Sequence, residues 1–233
     1  MDNTAPLKYY PSETEVDQWI HSIRQLAADT PCTAELLDDR GFTHNLSLRH
    51  TRGFQYVRFS PRGMNTFYGY WQCALSGPAP LLVHVPGYGA EISAHPEIVA
   101  QGFNVLHVSP LGYTTPAGAD ESKKTDDYWP VLPDTVLSGG ERGYRHWLAN
   151  CLMAVEWAVQ RPEVLSNRVS FFGTSQGGGC ALLLSSICRD RGVRCAAADL
   201  PFLTGFAEAG NRGAYERIQP LREMAGEEQF WHS

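Results

Sequence analysis

The sequence lacks the features that mark several classes of protein. No apolar run reaches the roughly 18 residues that a membrane-crossing helix needs. The 19 lysines and arginines are outnumbered by 25 aspartates and glutamates, and the net charge of −6 argues against nucleic acid as a partner. A secretory signal has a basic segment followed by an apolar one, and the first eleven residues have no such pattern. We therefore expect neither a membrane nor a nucleic acid as a partner.

Metal-binding patterns are also missing. The six cysteines form no Cys-x-x-Cys pair, and no histidine lies at metal-ligand spacing from any of them. We expect free thiols in a reducing, cytoplasmic environment. His84 and His107 lie in apolar runs and are interpreted as core histidines, whereas His95 is expected to face solvent. The sequence thus predicts no metal and no cofactor.

The order of the predicted elements indicates an α/β protein. Residues 1–44 are predicted to be an N-terminal helical extension, whose helix over 12–30 begins with a capping box between Ser12 and Glu15. Residues 45–233 are predicted to form the main domain, which opens with three antiparallel strands. Buried strands and helices then alternate, which predicts a mostly parallel sheet with helices on both faces. Strands are expected near 81–85, 103–108, 168–172 and 194–198, helices near 93–101, 141–160 and 176–190, and a long loop over 109–140.

The stretch Gly173-Thr174-Ser175-Gln176-Gly177 lies between a predicted strand and a predicted helix. This context is that of a nucleophile elbow, a turn so tight that flanking side chains would collide with the backbone. The turn exposes the hydroxyl of Ser175, and the backbone N–H of Gln176 lies at a helix N-terminus, where it can face a developing oxyanion. Tyr88, Ser175 and Asp199 all follow predicted strands, at the sheet edge where ligands bind in such folds.

Several stretches around this elbow carry a further pattern. They are His84 to Tyr88, Tyr144-Arg145-His146, Arg161 to Val164 with Arg168-Val169, Gly173 to Gly179, and Pro201-Phe202-Leu203. Together they resemble the acetyl xylan esterase and cephalosporin C deacetylase family of α/β-hydrolases, from about residue 50 to the end of the chain. The resemblance implies that Ser175 is the nucleophile, that the backbone N–H groups of Tyr88 and Gln176 form the oxyanion hole, and that small acetylated sugars or related esters are deacetylated.

The chain departs from that family at two places. Leu111-Gly112-Tyr113 stands where the family has Arg-Gly-Gln. The family's acid and histidine, with the last strands of the sheet, would come after residue 233, so we expect a chain truncated at its C-terminus. His232 is the one histidine after Ser175, and a penultimate residue is poorly suited to be the base. Asp199 has a place at which a triad acid can occur, but a structural role is favoured.

Three functions follow from this pattern. The first is a serine carboxylesterase or deacetylase that forms an acyl-enzyme on Ser175. The second is another α/β serine hydrolase, acting on peptides or bulkier esters. The third is a catalytically inactive, hydrolase-like binding domain. The expected partner is a small-molecule ester, and assembly into a homo-oligomer stays open.

Overall fold

A seven-stranded sheet forms the centre of the protein. The computed structural model describes residues 11–37, 54–87, 94–110, 114–120, 144–202, 204 and 215. The sheet strands are β1 (Cys32–Leu36), β2 (Phe54–Pro61), β3 (Phe67–Gln72), β4 (Ala79–Val85), β5 (Asn104–Ser109), β8 (Val164–Thr174) and β9 (Val193–Asp199), and a separate hairpin contains β6 (Thr114–Thr115) and β7 (Gly118–Ala119). The helices are α1 (Glu13–Asp29), α2 (Pro96–Ala100), α3 (Tyr144–Val159) and α4 (Gln176–Ile187), with a short 3₁₀ helix at Arg189–Arg191.

The spatial order of the strands is β1-β2-β3-β5-β4-β8-β9. The pairs β1–β2, β2–β3 and β3–β5 are antiparallel. The pairs β5–β4, β4–β8 and β8–β9 are parallel. Helices α2, α3 and α4 lie in the connections from β4 to β5, from β5 to β8 and from β8 to β9, because parallel strands need a crossover. The predicted α/β-hydrolase fold is confirmed, and the described sheet is mixed, with three antiparallel and three parallel strand pairs.

Three helices cover one face of the sheet. Alternation along β4 directs Leu81, Val83 and Val85 to that face, where all three are fully buried. The apolar sides of α1, α3 and α4 complete this core, and α1 begins with the predicted capping box between Ser12 and Glu15. Burial of the apolar side chains in this core, at about 25 cal/mol per Å² of apolar surface, is the main source of stability.

The opposite face carries α2 and a group of polar rings. His84 and His107 are register partners in β4 and β5, and both side chains contact each other on this face. His107 is fully buried, as expected of a core histidine. The expectation that His95 faces solvent is wrong: its side chain is only 16% exposed, because it lies at the start of α2 and contacts His84.

Two other predicted elements differ from the structure. The segment 1–44 supplies a strand as well as a helix, since β1 pairs with β2 in the main sheet; the division into domains stays a prediction. Strand β9 was expected to be buried, but its residues alternate between exposed and half-buried. The reason is that β9 lies at an edge of the described sheet, with β8 as its one described neighbour.

Several predictions fall on residues outside the described ranges. They concern the first of the three predicted antiparallel strands and most of the loop over 109–140. All six cysteines are described, and none of them forms a disulfide with another. None of the described helices has the length and apolar content that crossing a membrane requires.

Candidate active site

The strand order creates a crevice between β4 and β8. From β4 the chain crosses to β5 on one side, and it later returns to β8 on the other side. Ligands of open α/β sheets bind at such a switch point, beyond the carboxyl ends of the strands. Gly87 follows the end of β4, and Ser175 follows the end of β8. The fold therefore brings the two sequence motifs to one place.

Ser175 has the strained backbone of a nucleophile elbow. Its φ of 57° and ψ of −121° lie in a region that residues other than glycine rarely adopt. The glycines on either side make the turn possible. A Cβ on Gly173 would lie 2.5 Å from the carbonyl oxygens of Gly177 and Val85, and a Cβ on Gly177 would lie 2.5 Å from the oxygen of Pro86. The backbones of β4, β8 and α4 thus meet with no room for side chains.

Hydrogen bonds from the end of β9 hold this strained residue. The N–H of Ser175 donates to the carbonyl oxygen of Asp199 at 2.9 Å, and the N–H of Phe202 donates to the carbonyl oxygen of Ser175 at 2.8 Å. The same oxygen accepts from the N–H of Gly179 at 3.1 Å. Strain of this kind costs about 1–3 kcal/mol and persists only where the surroundings fix it. Here both polar backbone groups of Ser175 are fixed, while its half-buried side chain stays at the crevice.

One of the two predicted oxyanion donors is described. Gln176 is the first residue of α4, so its backbone N–H has no acceptor within the helix and lies at the positive end of the helix dipole. Tyr88 lies outside the described residues. The residue before it, Gly87, is close to the elbow: a Cβ there would be 3.2 Å from the oxygen of Thr174 and 3.7 Å from Cβ of Ser175. The segment that leads to Tyr88 therefore starts beside the nucleophile.

The side chain of Gln176 has a role that the sequence did not reveal. It is 2% exposed, and its Nε2 donates a hydrogen bond of 2.7 Å to the hydroxyl of Tyr144 at the start of α3. Burial raises the pKa of Tyr144 well above its usual range, so the hydroxyl stays protonated. This contact ties the first residue after the nucleophile to α3. The two residues are 32 positions apart, and no local pattern indicates that they meet.

Asp199 accepts two hydrogen bonds from residues of the elbow. Its backbone oxygen accepts from Ser175, and its side chain is exposed and accepts a long, 3.4 Å hydrogen bond from the hydroxyl of Thr174. Both contacts favour the structural role expected for it. Within the described part of the chain, no histidine hydrogen-bonds to the Ser175 hydroxyl, and His232 lies outside that part.

Comparisons with known proteins agree with this geometry. A family model described as acetyl xylan esterase matches residues 59–223, more than half of the chain. Acetyl xylan esterase 1 from Thermoanaerobacterium sp. JW/SL YS485 has a similar fold, with a TM-score of 0.71, 18% identity, and coverage of 95% of this chain and 72% of that one. An acetyl xylan esterase from Paenibacillus sp. R4 gives a TM-score of 0.65 at 20% identity, covering 100% and 77%.

A search of curated proteins gives no match. The family model nevertheless covers β3, β4, β5 and β8 together with the elbow, so it spans the elements that build the site. The chain therefore belongs to the acetyl xylan esterase family and is a serine carboxylic ester hydrolase with the α/β-hydrolase fold.

Proposed function

We propose that this protein deacetylates small acetylated substrates, such as acetylated sugars, through an acyl-enzyme on Ser175. The observation that supports this most strongly is the backbone of Ser175, held at a φ of 57° at the switch point between β4 and β8. A strained residue at that place has no structural purpose that a relaxed turn would not serve better. It does serve to present a hydroxyl to a ligand in the crevice.

The proposed reaction has two steps. Oγ of Ser175 attacks the ester carbonyl carbon, its proton passes to a base, and the carbonyl oxygen becomes an oxyanion. The N–H groups of Gln176 and Tyr88 stabilise that oxyanion, and the alcohol leaves with a proton. Water then attacks the acetyl-serine, which releases acetate and restores the hydroxyl. The Gln176 donor is supported by its place at the start of α4, and the Tyr88 donor by the approach of Gly87 to the elbow.

The base is expected to come from a segment that follows the described strands. In α/β-hydrolases the acid and the histidine follow the nucleophile in chain order. The three histidines at 84, 95 and 107 precede Ser175 and contact one another. They are therefore assigned no role in activating it. The six free thiols agree with the cytoplasmic location that we retain as part of this proposal.

Ser175→Ala tests the proposal, with Ser186→Ala, an exposed position on the same helix, as the matched control. Hydrolysis of p-nitrophenyl acetate and labelling by a fluorophosphonate probe are measured for both variants. Because the nucleophile is lost, we expect Ser175→Ala to reduce kcat/KM by at least about 10³-fold and to abolish labelling. Ser186→Ala should match the parent. Equal turnover in Ser175→Ala would refute the acyl-enzyme.

The same measurements separate the alternatives. Turnover that falls steeply from acetyl to longer acyl esters supports a deacetylase, whereas hydrolysis of peptide amides or of bulky esters at similar rates supports another serine hydrolase. A well-folded parent protein that neither turns over acetyl esters nor reacts with the probe would indicate a hydrolase-like binding domain.

A further inference from the structure

Three histidines converge on one point at the face of the sheet that carries α2. Nδ1 of His84 lies 2.9 Å from Nδ1 of His107 and 2.8 Å from Nε2 of His95. One nitrogen from each ring lies within 4.8 Å of the others. The rings come from three separate elements, β4, β5 and the start of α2. This trio is called the histidine cluster below.

Hydrogen bonding alone does not explain the cluster. Each nitrogen of a neutral imidazole carries either one proton or one lone pair, so Nδ1 of His84 can form one well-aligned hydrogen bond. Two other ring nitrogens nevertheless approach this atom to within 3 Å. A cation placed among the three nitrogens would accept a lone pair from each of them, which is the arrangement that such convergence favours.

A carboxylate fixes the orientation of one ring. Oε1 of Glu97 lies 3.4 Å from Nδ1 of His95, which favours the tautomer that carries its proton on Nδ1. The lone pair of His95 then lies on Nε2, the nitrogen that faces His84. A carboxylate behind a histidine is the usual second partner of a metal-bound imidazole, because it sets the tautomer and strengthens the ligand. The backbone N–H of His95 also donates to Oε1 of Gln72 at 3.0 Å, which anchors the ring's position.

The surroundings of His84 and His95 favour the form of each ring that binds a metal. Burial lowers the pKa of His84 to about 3, and the neighbouring His95 lowers it further in the same direction. Burial also lowers the pKa of His95. The ring of His84 stacks on Phe172 with a centroid distance of 4.3 Å, which holds its plane. Burial thus disfavours the charged form of His84 and of His95, and an uncharged imidazole is a metal ligand.

From this geometry we infer that His84, His95 and His107 bind a divalent transition-metal ion, with zinc the best fit. Imidazole ligands suit zinc, and three of them leave one position of a tetrahedral site for water or another ligand. With zinc–nitrogen distances of about 2.0–2.1 Å, tetrahedral ligand nitrogens lie about 3.3 Å apart. The two short separations here are a few tenths of an ångström less, and the third pair of nitrogens lies within 4.8 Å, so binding requires the rings of His95 and His107 to move towards each other. The site goes beyond the esterase function and uses none of its residues.

The ion would hold one end of the segment that joins β4 to α2. Gly87 lies against the elbow at one end of the segment between β4 and α2, and His95 lies at its other end. Holding His95 on His84 and His107 would fix that second end. We therefore expect a structural ion that stabilises the fold.

Metal binding by the whole chain tests the site. Protein stripped with a chelator is titrated with Co²⁺, read by the visible absorption of its tetrahedral complexes, and with Zn²⁺ in competition with a chromophoric chelator. The parent should bind one equivalent of Co²⁺ in the first titration and one equivalent of Zn²⁺ in the second. His95→Gln should weaken binding by at least about 100-fold, and Glu97→Gln, whose side chain is 63% exposed, by about 10–100-fold without affecting folding. Zn²⁺ should raise the Tm of the parent but not that of His95→Gln.

Two control variants separate this site from other zinc ligands. His21→Gln removes an exposed histidine on α1, and Cys195→Ser removes the exposed thiol; both should bind like the parent. A folded parent that binds no Zn²⁺ or Co²⁺ would overturn the inference. So would unchanged affinity in both His95→Gln and Glu97→Gln, or loss of the ion in Cys195→Ser. Measuring ester hydrolysis with and without the ion keeps this outcome separate from that of the proposed function.

Discussion

Replacing Gly177 by alanine should disable the elbow while changing only one methyl group. A Cβ at this position would lie 2.5 Å from the carbonyl oxygen of Pro86, and closer still to that of Val85. Ordinary contact begins near 3.4 Å, so α4 and the end of β4 must separate by about 0.9 Å or more. The N–H of Gln176 and the hydroxyl of Ser175 move with α4, which misaligns both relative to a bound ester.

The expected loss of activity is large. A displacement of about 1 Å at a reacting centre costs about 10²-fold in rate, which corresponds to about 2.7 kcal/mol of transition-state stabilisation. Overpacking also destabilises the fold by about 1–3 kcal/mol, although alanine is intrinsically better than glycine in a helix by about 1 kcal/mol. We expect kcat/KM to fall by at least about 10²-fold, mainly through kcat.

Gly178→Ala is the matched control. It lies in the same helical turn, but its Cβ would be 3.0 Å from the oxygen of Asp199 and 3.1 Å from that of Gly173. A backbone shift of about 0.4 Å relieves these contacts, so we expect kcat/KM to fall by less than about 10-fold. The assays are hydrolysis of p-nitrophenyl acetate, the rate of fluorophosphonate labelling, and urea unfolding to establish that each variant is folded. Wild-type labelling and turnover in folded Gly177→Ala would refute the reasoning.

Three further predictions concern residues around the sheet. Tyr144→Phe removes the acceptor of buried Gln176 Nε2 and should lower the free energy of unfolding by about 1–3 kcal/mol; urea unfolding checks this, and an unchanged midpoint would contradict it. Asn104 accepts from one backbone N–H and donates to two carbonyl oxygens at 2.8–3.0 Å, so Asn104→Ala should destabilise by about 3 kcal/mol, against under 1 kcal/mol at exposed Ser186→Ala. Metal-free protein should lose stability in acid, because burial lowers the pKa of His84 from 6.5 to about 3 on folding. Between these pH values the unfolded chain binds more protons than the folded one, so the free energy of unfolding should fall by about 2 kcal/mol between pH 7 and pH 5. The fall should be smaller in His84→Gln. An equal fall in that variant would refute the assignment of the acid sensitivity to His84.

The elbow and the parallel strands could be predicted because their signals are local. A glycine-flanked serine between an apolar run and a helical pattern fixes the turn, whatever surrounds it. Buried strands such as β4 and β5 are continuous apolar runs. The family resemblance of the segments around Ser175 added the reaction class, and the family match confirms that class.

The remaining features depend on which elements become neighbours. The alanines of β9 suit a central strand and an edge strand equally, so its exposure could not be predicted. Strand β1 has five residues; half-buried and exposed positions alternate along it, but so short a pattern does not predict that it pairs with β2. The histidine cluster draws on residues 11 and 12 positions apart in three elements, a spacing that matches no metal motif. The Gln176–Tyr144 contact likewise exists only once α3 and α4 pack together.

The hydrogen bonds between Ser175 and the residues around position 200 have a consequence for how the protein is made. Strand β8 and helix α4 can begin to form from local sequence, but two of the three residues that hydrogen-bond to the backbone of Ser175, Asp199 and Phe202, come later in the chain. A nascent polypeptide whose synthesis has reached only α4 cannot keep the serine in its unfavourable conformation. Ser175 would therefore reach its strained conformation only after β9 has been synthesised and has docked beside β8.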